Sequence, residues 1–342
     1  MSDRPRVLVV DDSAFARTVL SRLLRASGQL DVAGTARDGH DALEKIAALD
    51  PDLVTLDLTM PNLDGIGVLR ALAGRPRPRV VVVSISSVET ELGAEALLLG
   101  AVDLVAKPTA LASERLTELG NELVAKLVAL GGGPATAPLA TEIEGGTRSR
   151  PVRLSGVDLV MIGTSTGGPQ ALTRVISALP ATLAVPVAIV LHIPEGYTES
   201  LAARLDKISP LTVVEAKDGL ELRPGLVVLA RGGSHLRIHR RGSALRAEVG
   251  QHPVTPFTPS VDELFTSGAA AVRAGALGVI LTGMGDDGLA GSRAIAEARG
   301  SLITEDASTC VVYGMPRSVD QANLGATSVP LDRIAAEIAR RV

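Results

Sequence analysis

Acidic side chains follow two short apolar segments in the first third of the chain. Asp11 and Asp12 come directly after Val7–Val10, and Asp57 comes after Leu53–Leu56. Because parallel strands bring their carboxyl ends to one edge of a sheet, we expect these three carboxylates to lie together. Carboxylate oxygens suit Mg²⁺, and a carboxylate beside that metal can attack a phosphoryl donor and become an aspartyl phosphate. The pattern therefore predicts a phosphoryl-transfer site.

A hydroxyl and an ammonium group end two further apolar segments. Ser84 follows Val80–Val83, and Lys107 follows Asp103–Val105. At the same sheet edge as the carboxylates, both groups could bind phosphoryl oxygens. One strand-end aspartate is usually a helix cap or a turn residue. Five suitable side chains at four strand ends argue against that explanation for the whole set.

A serine in the second half of the chain lies in the segment Gly163-Thr164-Ser165-Thr166-Gly167-Gly168-Pro169. Glycine permits a sharp turn from strand to helix, and proline suits the first turn of a helix. N–H groups at a helix N-terminus stabilise nearby negative charge. Ser165 could therefore be a nucleophile whose oxyanion is held by main-chain donors.

Two functions compete for this turn. A glycine-rich turn can hold dinucleotide phosphates, but the spacing here is not Gly-x-Gly-x-x-Gly, and no acidic residue ends a recognisable next strand. Gly163-x-Ser165-x-Gly167 instead matches the nucleophile elbow of α/β-hydrolases. This short match does not decide the question alone, so the choice depends on the partners of the serine.

A hydrolytic serine needs a base, and the chain has five histidines. His192 follows the apolar segment Val187–Leu191, which places it at the same sheet edge as Ser165. His235 lies near a predicted hairpin and is a weaker candidate. We therefore expect His192 to be the base.

The acid follows a third apolar segment, Val279–Leu281, in a glycine-rich loop that contains Met284, Asp286 and Asp287. Three strand ends then present a serine, a histidine and an aspartate to one edge of the sheet. The chain order Ser–His–Asp differs from the order Ser–Asp–His of α/β-hydrolases. A triad is defined by its geometry, so the change of order leaves the chemistry available.

The elements that position the first set form an alternating pattern. Short apolar runs alternate with amphipathic segments such as Ala14–Ala26 and His40–Leu49. Strands that are apolar throughout are buried on both faces of a parallel sheet, so we predict a small doubly wound α/β domain over 4–125. A helix near Ser113–Leu130 leads into a Gly-, Pro-, Ser- and Thr-rich stretch without periodicity, and we predict a linker at 126–156.

From 157 to 342 the alternation resumes, which predicts a second α/β domain with a parallel sheet. The predicted strands are Leu159–Ile162, Val187–Leu191 and Leu277–Leu281, and the predicted helices are Pro169–Leu179, Thr198–Ile208, Ser260–Ala274 and Leu289–Ala298. Four shorter segments between them predict an antiparallel hairpin region, namely Leu211–Glu215, Leu226–Ala230, Leu236–His239 and Leu245–Val249.

Composition limits the classes of function. A length of 342 residues favours two domains. The net charge of −4 argues against a nucleic-acid partner, and no basic recognition helix follows the linker. The single cysteine, Cys310, excludes an internal disulfide and a thiolate-cluster metal site. The N-terminus has the pattern of a buried strand rather than a signal peptide, and no apolar run is long enough for a membrane span. We therefore expect a cytoplasmic protein without membrane insertion.

The first set of residues matches a known family pattern, carried by Asp11, Asp12, Leu56-Asp57-Leu58-Thr59-Met60-Pro61-Asn62-Leu63-Asp64-Gly65, Ser84 and Lys107-Pro108. With these residues, the segment from 6 to about 120 resembles a response-regulator receiver domain, which has a flavodoxin-like fold. The resemblance implies that Asp57 accepts the phosphoryl group and that Ser84 and Lys107 are the switch pair. It also implies a set of Mg²⁺ ligands, namely Asp12, Asp57, the carbonyl of Thr59, and Asp11 through a water molecule.

The second set belongs to five motifs in order: Ile162-Gly163-Thr164-Ser165-Thr166-Gly167-Gly168, Leu191-His192-Ile193-Pro194, Pro259-Ser260-Val261-Asp262, Leu281-Thr282-Gly283-Met284-Gly285-Asp286-Asp287-Gly288 and Cys310-Val311-Val312-Tyr313-Gly314-Met315-Pro316. With them, residues from about 157 to 340 resemble the catalytic domain of the chemotaxis protein-glutamate methylesterases, the CheB family. The resemblance implies that Ser165 is the nucleophile, His192 the base and Asp287 the orienting acid, with Asp286 ranked second. Thr166 lies beside the serine as in the family, and the backbone N–H of Met284 is the expected oxyanion donor.

The two resemblances together imply a phosphorylation-activated hydrolase of chemosensory adaptation. Its substrates are glutamyl methyl esters, and also specific glutamines, on methyl-accepting chemoreceptors. A chemotaxis histidine kinase donates the phosphoryl group, Mg²⁺ serves the receiver domain, and the ester hydrolysis needs no cofactor. In this family the unphosphorylated receiver domain covers the mouth of the hydrolase, and we expect the same arrangement here.

Overall fold

A computed structural model describes residues 4–75, 77–85, 90–107, 113–132 and 156–342. Most of the predicted linker, residues 133–155, and the predicted motif residue Pro108 lie outside the described residues. Among the residues described, no helix combines the length and the apolarity needed to span a lipid bilayer.

The first domain is a parallel five-stranded sheet between helices, with the strand order β2-β1-β3-β4-β5. Its strands are β1 (Arg6–Val10), β2 (Asp31–Ala36), β3 (Leu53–Leu56), β4 (Arg79–Ile85) and β5 (Asp103–Lys107). Its helices are α1 (Ala14–Ala26), α2 (Gly39–Leu49), α3 (Gly65–Leu72), α4 (Thr90–Leu98) and α5 (Ser113–Gly131). The strand order reverses between β1 and β3, which opens a crevice at their carboxyl ends. The predicted doubly wound fold is confirmed.

Helix α5 is longer than the predicted domain boundary allows. It continues to Gly131, so residues 126–131 are helical rather than part of the linker. Leu127 and Leu130 are buried in the core of the first domain, and Arg79 donates a 2.5 Å hydrogen bond to the carbonyl of Leu130. These long-range contacts hold the last turns of the helix against the sheet.

The second domain contains a parallel seven-stranded sheet with the order β15-β14-β13-β6-β7-β10-β8. The strands of this domain are β6 (Leu159–Thr164), β7 (Val187–Leu191), β8 (Thr212–Glu215), β9 (Glu221–Leu222), β10 (Leu226–Leu229), β11 (His235–Arg241), β12 (Ala244–Gly250), β13 (Ala276–Ile280), β14 (Ser301–Glu305) and β15 (Thr327–Val329). The helices are α6 (Gly168–Ala178), α7 (Thr198–Ile208), α8 (Val261–Val272), α9 (Leu289–Glu297), α10 (Met315–Gln321) and α11 (Leu331–Arg341).

The predicted hairpin region was assigned too widely. Strands β8 and β10 pair in parallel and belong to the main sheet, where β10 lies beside β7. Only β11 and β12 form the antiparallel hairpin, and β9 adds to it as a third strand. All four residues of β10 are buried, as is typical of a strand covered on both faces, whereas one face of the hairpin meets solvent.

The two domains share one apolar core, which runs from the first sheet through α4 to α6 and α7. Gly93 of α4 lies directly against Tyr197, the residue before α7. A Cβ atom at position 93 would come within 2.4 Å of the Tyr197 ring. Helix α4 therefore packs on the second domain through a surface that has no room for a side chain at this point.

Candidate active site and receiver pocket

The serine, the histidine and the acidic loop follow three neighbouring strands of the large sheet. Strand β6 lies between β7 and β13, with Thr164 opposite Leu191 and Gly163 opposite Ile280. The N–H of His192 donates to the carbonyl of Thr164 (3.1 Å). The sheet register thus brings the three predicted segments to one edge.

Glycine makes the turn around the serine possible. Gly167 has φ +82°, and a Cβ there would lie 2.7 Å from Cβ of Val311. A Cβ at Gly283 would lie 3.0 Å from Cβ of Ser165, so the loop after β13 approaches the serine backbone closely. Ser165 itself is only 9% exposed.

His192 and Asp287 form a hydrogen-bonded pair. The Nε2 atom of His192 lies 2.8 Å from Oδ2 of Asp287, and the imidazole stacks on Phe257 at 4.4 Å with an angle of 6° between the planes. The other nitrogen, Nδ1, is buried and has no hydrogen-bond partner among the residues described. Asp287 thus binds Nε2 of the imidazole, whereas the acid of the chymotrypsin-type arrangement binds Nδ1. Within the described part of the chain, the Ser165 hydroxyl makes no hydrogen bond to this ring.

Asp287 is held as a carboxylate by the N-terminus of α8. Its oxygens accept hydrogen bonds from the N–H groups of Val261 (2.7 Å) and Asp262 (3.0 Å) and from the hydroxyl of Ser260 (2.9 Å). Burial alone would raise its pKa, but the hydrogen bonds from His192 and from these amides hold the pKa of Asp287 below its usual range. Asp286, the acid ranked second, is exposed.

The loop after β13 offers a donor for the oxyanion. Met284 is half-buried, and its backbone N–H has no acceptor among the residues that the structure describes. The Ser165 N–H is used, because it donates to the carbonyl of Thr282 (3.1 Å). Met284 therefore remains the predicted donor.

The first domain covers the turn that carries the serine. The hydroxyl of Thr166 donates to Oδ2 of Asp103 (2.6 Å), the N–H of Gly167 donates to the carbonyl of Val102 (3.1 Å), and the amide of Gln170 donates to Ala101 (2.8 Å). The second oxygen of Asp103 pairs with Lys126 at 2.9 Å. The start of β5 thus lies on the serine turn. Its Asp103 accepts a hydrogen bond from Thr166, a predicted support residue.

The predicted phosphoryl-transfer residues also come together, at the carboxyl edge of the small sheet. Ligand oxygens of Asp11, Asp12 and Asp57 lie within 4.8 Å of one another. The ammonium group of Lys107 lies 2.7 Å from Asp11 and 2.9 Å from Asp57. Burial alone would lower the pKa of Lys107, but the two carboxylates raise it above its ordinary value, so the side chain stays protonated. Ser84 is fully buried at the end of β4.

The donor set fits Mg²⁺. Three carboxylates supply hard oxygen ligands, and Asp12 is exposed, which leaves space for the water molecules that this ion retains. Thr59 is exposed in the loop after β3.

Sequence reasoning missed several side chains of the site. It assigned no role to Phe257, which stacks on the imidazole, or to Asp103, which binds Thr166. Ser260 and Asp262 stand in a quoted motif without a role. The pattern Ser260-x-x-Glu263 is a capping box, and it could have identified a helix N-terminus suited to a carboxylate. Phe257 and Asp103 carry no comparable local signal.

Comparison with known proteins decides the family. The model of the CheB methylesterase family matches residues 160–338, and the model of the response regulator receiver domain matches residues 7–119. The chain belongs to the CheB methylesterase family. The resemblances found in the motifs are thereby confirmed. The receiver match precedes the methylesterase match along the chain, which is the predicted order.

Relatives in this family match over nearly the full length. The chain is 56% identical to the "Protein-glutamate methylesterase/protein-glutamine glutaminase 5" of Myxococcus xanthus, with 98% of each chain covered. It is 44% identical to the corresponding protein of Symbiobacterium thermophilum, with coverages of 100% and 99%. The crystal structure of the Thermotoga maritima CheB methylesterase catalytic domain is 37% identical and has a TM-score of 0.53, and the match covers 55% of this chain and 100% of that one. The CheB-type fold of the second domain is therefore shared with a solved structure.

Proposed function

We propose that this CheB-family chain hydrolyses glutamyl methyl esters on methyl-accepting chemoreceptors and deamidates specific receptor glutamines, in chemosensory adaptation. The observation that carries the proposal is the 2.8 Å pair of His192 and Asp287, at the end of the strand next to the one that presents Ser165. The proposal is also supported by the family to which the chain belongs and by near full-length relatives named protein-glutamate methylesterase/protein-glutamine glutaminase.

The reaction follows from the roles of these three residues. Nδ1 of His192 takes the proton of Ser165 as the hydroxyl oxygen attacks the ester carbonyl, and Asp287 stabilises the imidazolium through Nε2. The Met284 N–H holds the oxyanion. The imidazolium then protonates the leaving methoxide, and methanol departs. A water molecule, deprotonated by His192, cleaves the acyl-enzyme and releases the glutamate side chain. With a glutamine substrate, ammonia leaves instead of methanol.

The serine–histidine contact has still to form when the substrate binds. Among the residues that the structure describes, the buried Nδ1 of His192 has no hydrogen-bond partner, and a buried nitrogen without a hydrogen bond is costly. Catalytic hydrogen bonds are often long in free enzymes and tighten in the substrate complex. We therefore expect the Ser165 hydroxyl to turn toward the imidazole of His192 when the receptor segment binds.

The receiver domain supplies the control. Asp57 accepts a phosphoryl group from a chemotaxis histidine kinase, while Asp11, Asp12, Asp57 and the Thr59 carbonyl would hold Mg²⁺. When bound, that ion would offset the negative charge of the phosphoryl group. Ser84 and Lys107 would bind phosphoryl oxygens, and in doing so Lys107 would leave its present pairing with Asp11 and Asp57.

Phosphorylation would act on the domain contact through β5 and α4. Lys107 and Asp103 stand at opposite ends of β5, about 13 Å apart along the strand. The added phosphoryl group brings about two negative charges to the Lys107 end, which favours another arrangement of the neighbouring loop and of α4. Asp103 hydrogen-bonds Thr166 in the serine turn, and release of this contact would open the turn to the substrate. The unphosphorylated receiver domain is thus autoinhibitory.

The test is release of methanol from methylated receptor by the full chain, with and without acetyl phosphate and Mg²⁺. We expect release by the wild-type protein, stimulation by the phosphodonor, and loss of both in Ser165→Ala. Ser177→Ala is the matched control, because Ser177 is exposed on the helix that follows the serine turn. Asp57→Asn should keep the basal rate and lose the stimulation. An inactive wild-type protein, or a Ser165→Ala variant that still turns over, would refute the esterase assignment.

A further inference from the structure

Glu305 is a buried carboxyl group to which the proposed reaction gives no role. It ends β14, next to β13, and none of its surface is exposed. Its Oε2 atom accepts a 2.8 Å hydrogen bond from the N–H of Thr282, and its Oε1 atom has no hydrogen-bond partner in the described part of the chain. Burying a carboxyl group is costly unless it is hydrogen-bonded. An apolar side chain would fill the same space at lower cost, so the contact with Thr282 needs an explanation.

Thr282 connects that carboxyl group to the nucleophile. Its carbonyl accepts hydrogen bonds from the N–H of Ser165 (3.1 Å) and from the hydroxyl of Thr164 (2.7 Å). Its hydroxyl donates to the carbonyl of Thr166 (3.0 Å) and accepts from the N–H of Val312 (2.9 Å). Thr282 is 1% exposed. All three polar groups of Thr282 are therefore bonded: the carbonyl and the hydroxyl to the turn around the serine or to the loop beside it, and the N–H to Glu305.

We propose that Glu305 is a positioning residue for the esterase reaction: through its hydrogen bond to Thr282, it sets the position of the Thr282–Met284 segment relative to Ser165. The inference rests on the proposed function, because it concerns the same nucleophile. The segment carries both the carbonyl that accepts from the Ser165 N–H and the N–H of Met284, which is the proposed oxyanion donor. The contact with Glu305 therefore acts on the attacking oxygen and on the oxyanion donor together, in addition to the other hydrogen bonds of Thr282.

The consequence of losing the anchor follows from the chemistry of a buried N–H. Without an acceptor at position 305, the Thr282 N–H would be buried and unsatisfied, which is costly, so the segment would move to find another partner. A displacement of about 1 Å in a catalytic group can reduce the rate about 100-fold. The effect should fall on kcat, because the contact aligns reacting groups and does not touch the rest of the substrate.

An amide is a good substitute for this carboxyl group. Burial raises the pKa of Glu305 to about 7, although the hydrogen bond from Thr282 opposes the shift. Near neutral pH a large share of the side chain is therefore already uncharged. Arg174 and Asp306 are the charged groups that act on it, in opposite directions. Glutamine has the same shape and keeps an oxygen acceptor, whereas leucine has similar volume and no acceptor.

The test compares three variants of the full chain, with methylated receptor, acetyl phosphate and Mg²⁺. Glu305→Leu should lower kcat about 10- to 100-fold with little change in KM. Glu305→Gln should restore kcat to within about threefold of wild type. Thr304→Val is the control for a structural effect. It loses the buried hydrogen bond of Thr304 to Asp320 (2.7 Å) on the same strand without touching Thr282, and it should keep the wild-type kcat.

A second measurement does not depend on activity. Amide hydrogen exchange of Thr282 and Ser165 should speed up about tenfold in Glu305→Leu, and it should be unchanged in Glu305→Gln and Thr304→Val. Wild-type kcat or wild-type exchange in Glu305→Leu would overturn the inference, as would an equal loss of kcat in Glu305→Gln or in Thr304→Val. If the wild-type protein releases no methanol, the proposed function fails, while the exchange rates still decide whether Glu305 anchors the serine turn.

Discussion

Asp262 and Asp287 each bind the N-terminus of the helix that begins beside the other. Asp287 precedes α9 and accepts the Val261 and Asp262 amides of α8. Asp262 lies in the first turn of α8 and accepts the amides of Gly288 (2.9 Å) and Gly291 (2.7 Å) at the start of α9. Burial and then the neighbouring Asp287 raise the pKa of Asp262 against the effect of these amides, whereas the pKa of Asp287 is lowered. These reciprocal hydrogen bonds hold Asp287, the acid of the candidate site, between the N-termini of α8 and α9.

Replacing Asp262 should separate the hydrogen bonds from the charge. Asp262→Ala leaves two amides of α9 without an acceptor and should lower the free energy of unfolding by about 1–2 kcal/mol. Asp262→Asn keeps an oxygen acceptor and removes a half-buried charge next to Asp287, so its stability at pH 7 should be at least that of wild type. Urea denaturation of the full chain measures both. An Asp262→Asn variant as unstable as Asp262→Ala would show that the charge, and not the acceptor, matters.

Replacing the acid should reduce turnover without preventing substrate binding. Asp287→Asn removes the charge that stabilises the imidazolium and should lower kcat about 10⁴-fold, as in other triads. Asp286→Asn is the matched control, because the neighbouring carboxylate is exposed and should contribute nothing. The rate of methanol release at saturating receptor measures both variants. Equal losses in the two, or a loss only in Asp286→Asn, would move the role of the acid to Asp286.

The stability of the second domain should depend on pH through Asp287. Its folded-state pKa is lowered, so the ionised form stabilises the fold at pH values above the unfolded-state pKa of about 3.9. This contribution is lost as the pH falls through the folded-state value. The difference in free energy of unfolding between wild type and Asp287→Asn should be constant above about pH 5 and shrink below about pH 4. A difference that grows on acidification would contradict the direction of the shift.

A single methyl group should weaken the autoinhibitory contact. In Gly93→Ala the new Cβ would meet the Tyr197 ring at 2.4 Å and the flexible end of the Leu104 side chain at 2.8 Å, so the closer clash acts on the contact between the two domains. Within α4 itself, alanine is preferred to glycine by about 0.5–1 kcal/mol, so the helix should not unfold. We expect a higher rate of methanol release without phosphodonor, and a smaller stimulation on its addition.

Gly120→Ala is the matched control for this effect. Gly120 lies in α5 of the same domain, and the three atoms nearest to its added Cβ all belong to the flexible side chain of Leu23, at 3.1 Å or more. Its basal rate should equal that of wild type. A Gly93→Ala variant with an unchanged basal rate would argue that the contact between α4 and Tyr197 does not restrain the hydrolase.

Much of the architecture could be predicted from local pattern. Apolar runs such as Val7–Val10 and Val187–Leu191 form the predicted buried strands, because burial on both faces demands apolar side chains at every position. The rule that parallel strands share a carboxyl edge then predicted that Asp11 lies with Asp57, and Ser165 near His192. Periodicity could not show that β10 belongs to the main sheet, since a short apolar run fits several pairings.

The sequence by itself determined the α/β class, the family and the strand ends at which the candidate residues stand, because these depend on neighbouring residues and on motifs. Only the tertiary structure decided which nitrogen of His192 meets Asp287, that Phe257 covers the ring, that Asp103 occupies Thr166 and that Glu305 holds Thr282. Those contacts join residues far apart in the chain. They arise from the order of strands and the docking of two domains. A local pattern of residue types does not predict either of these.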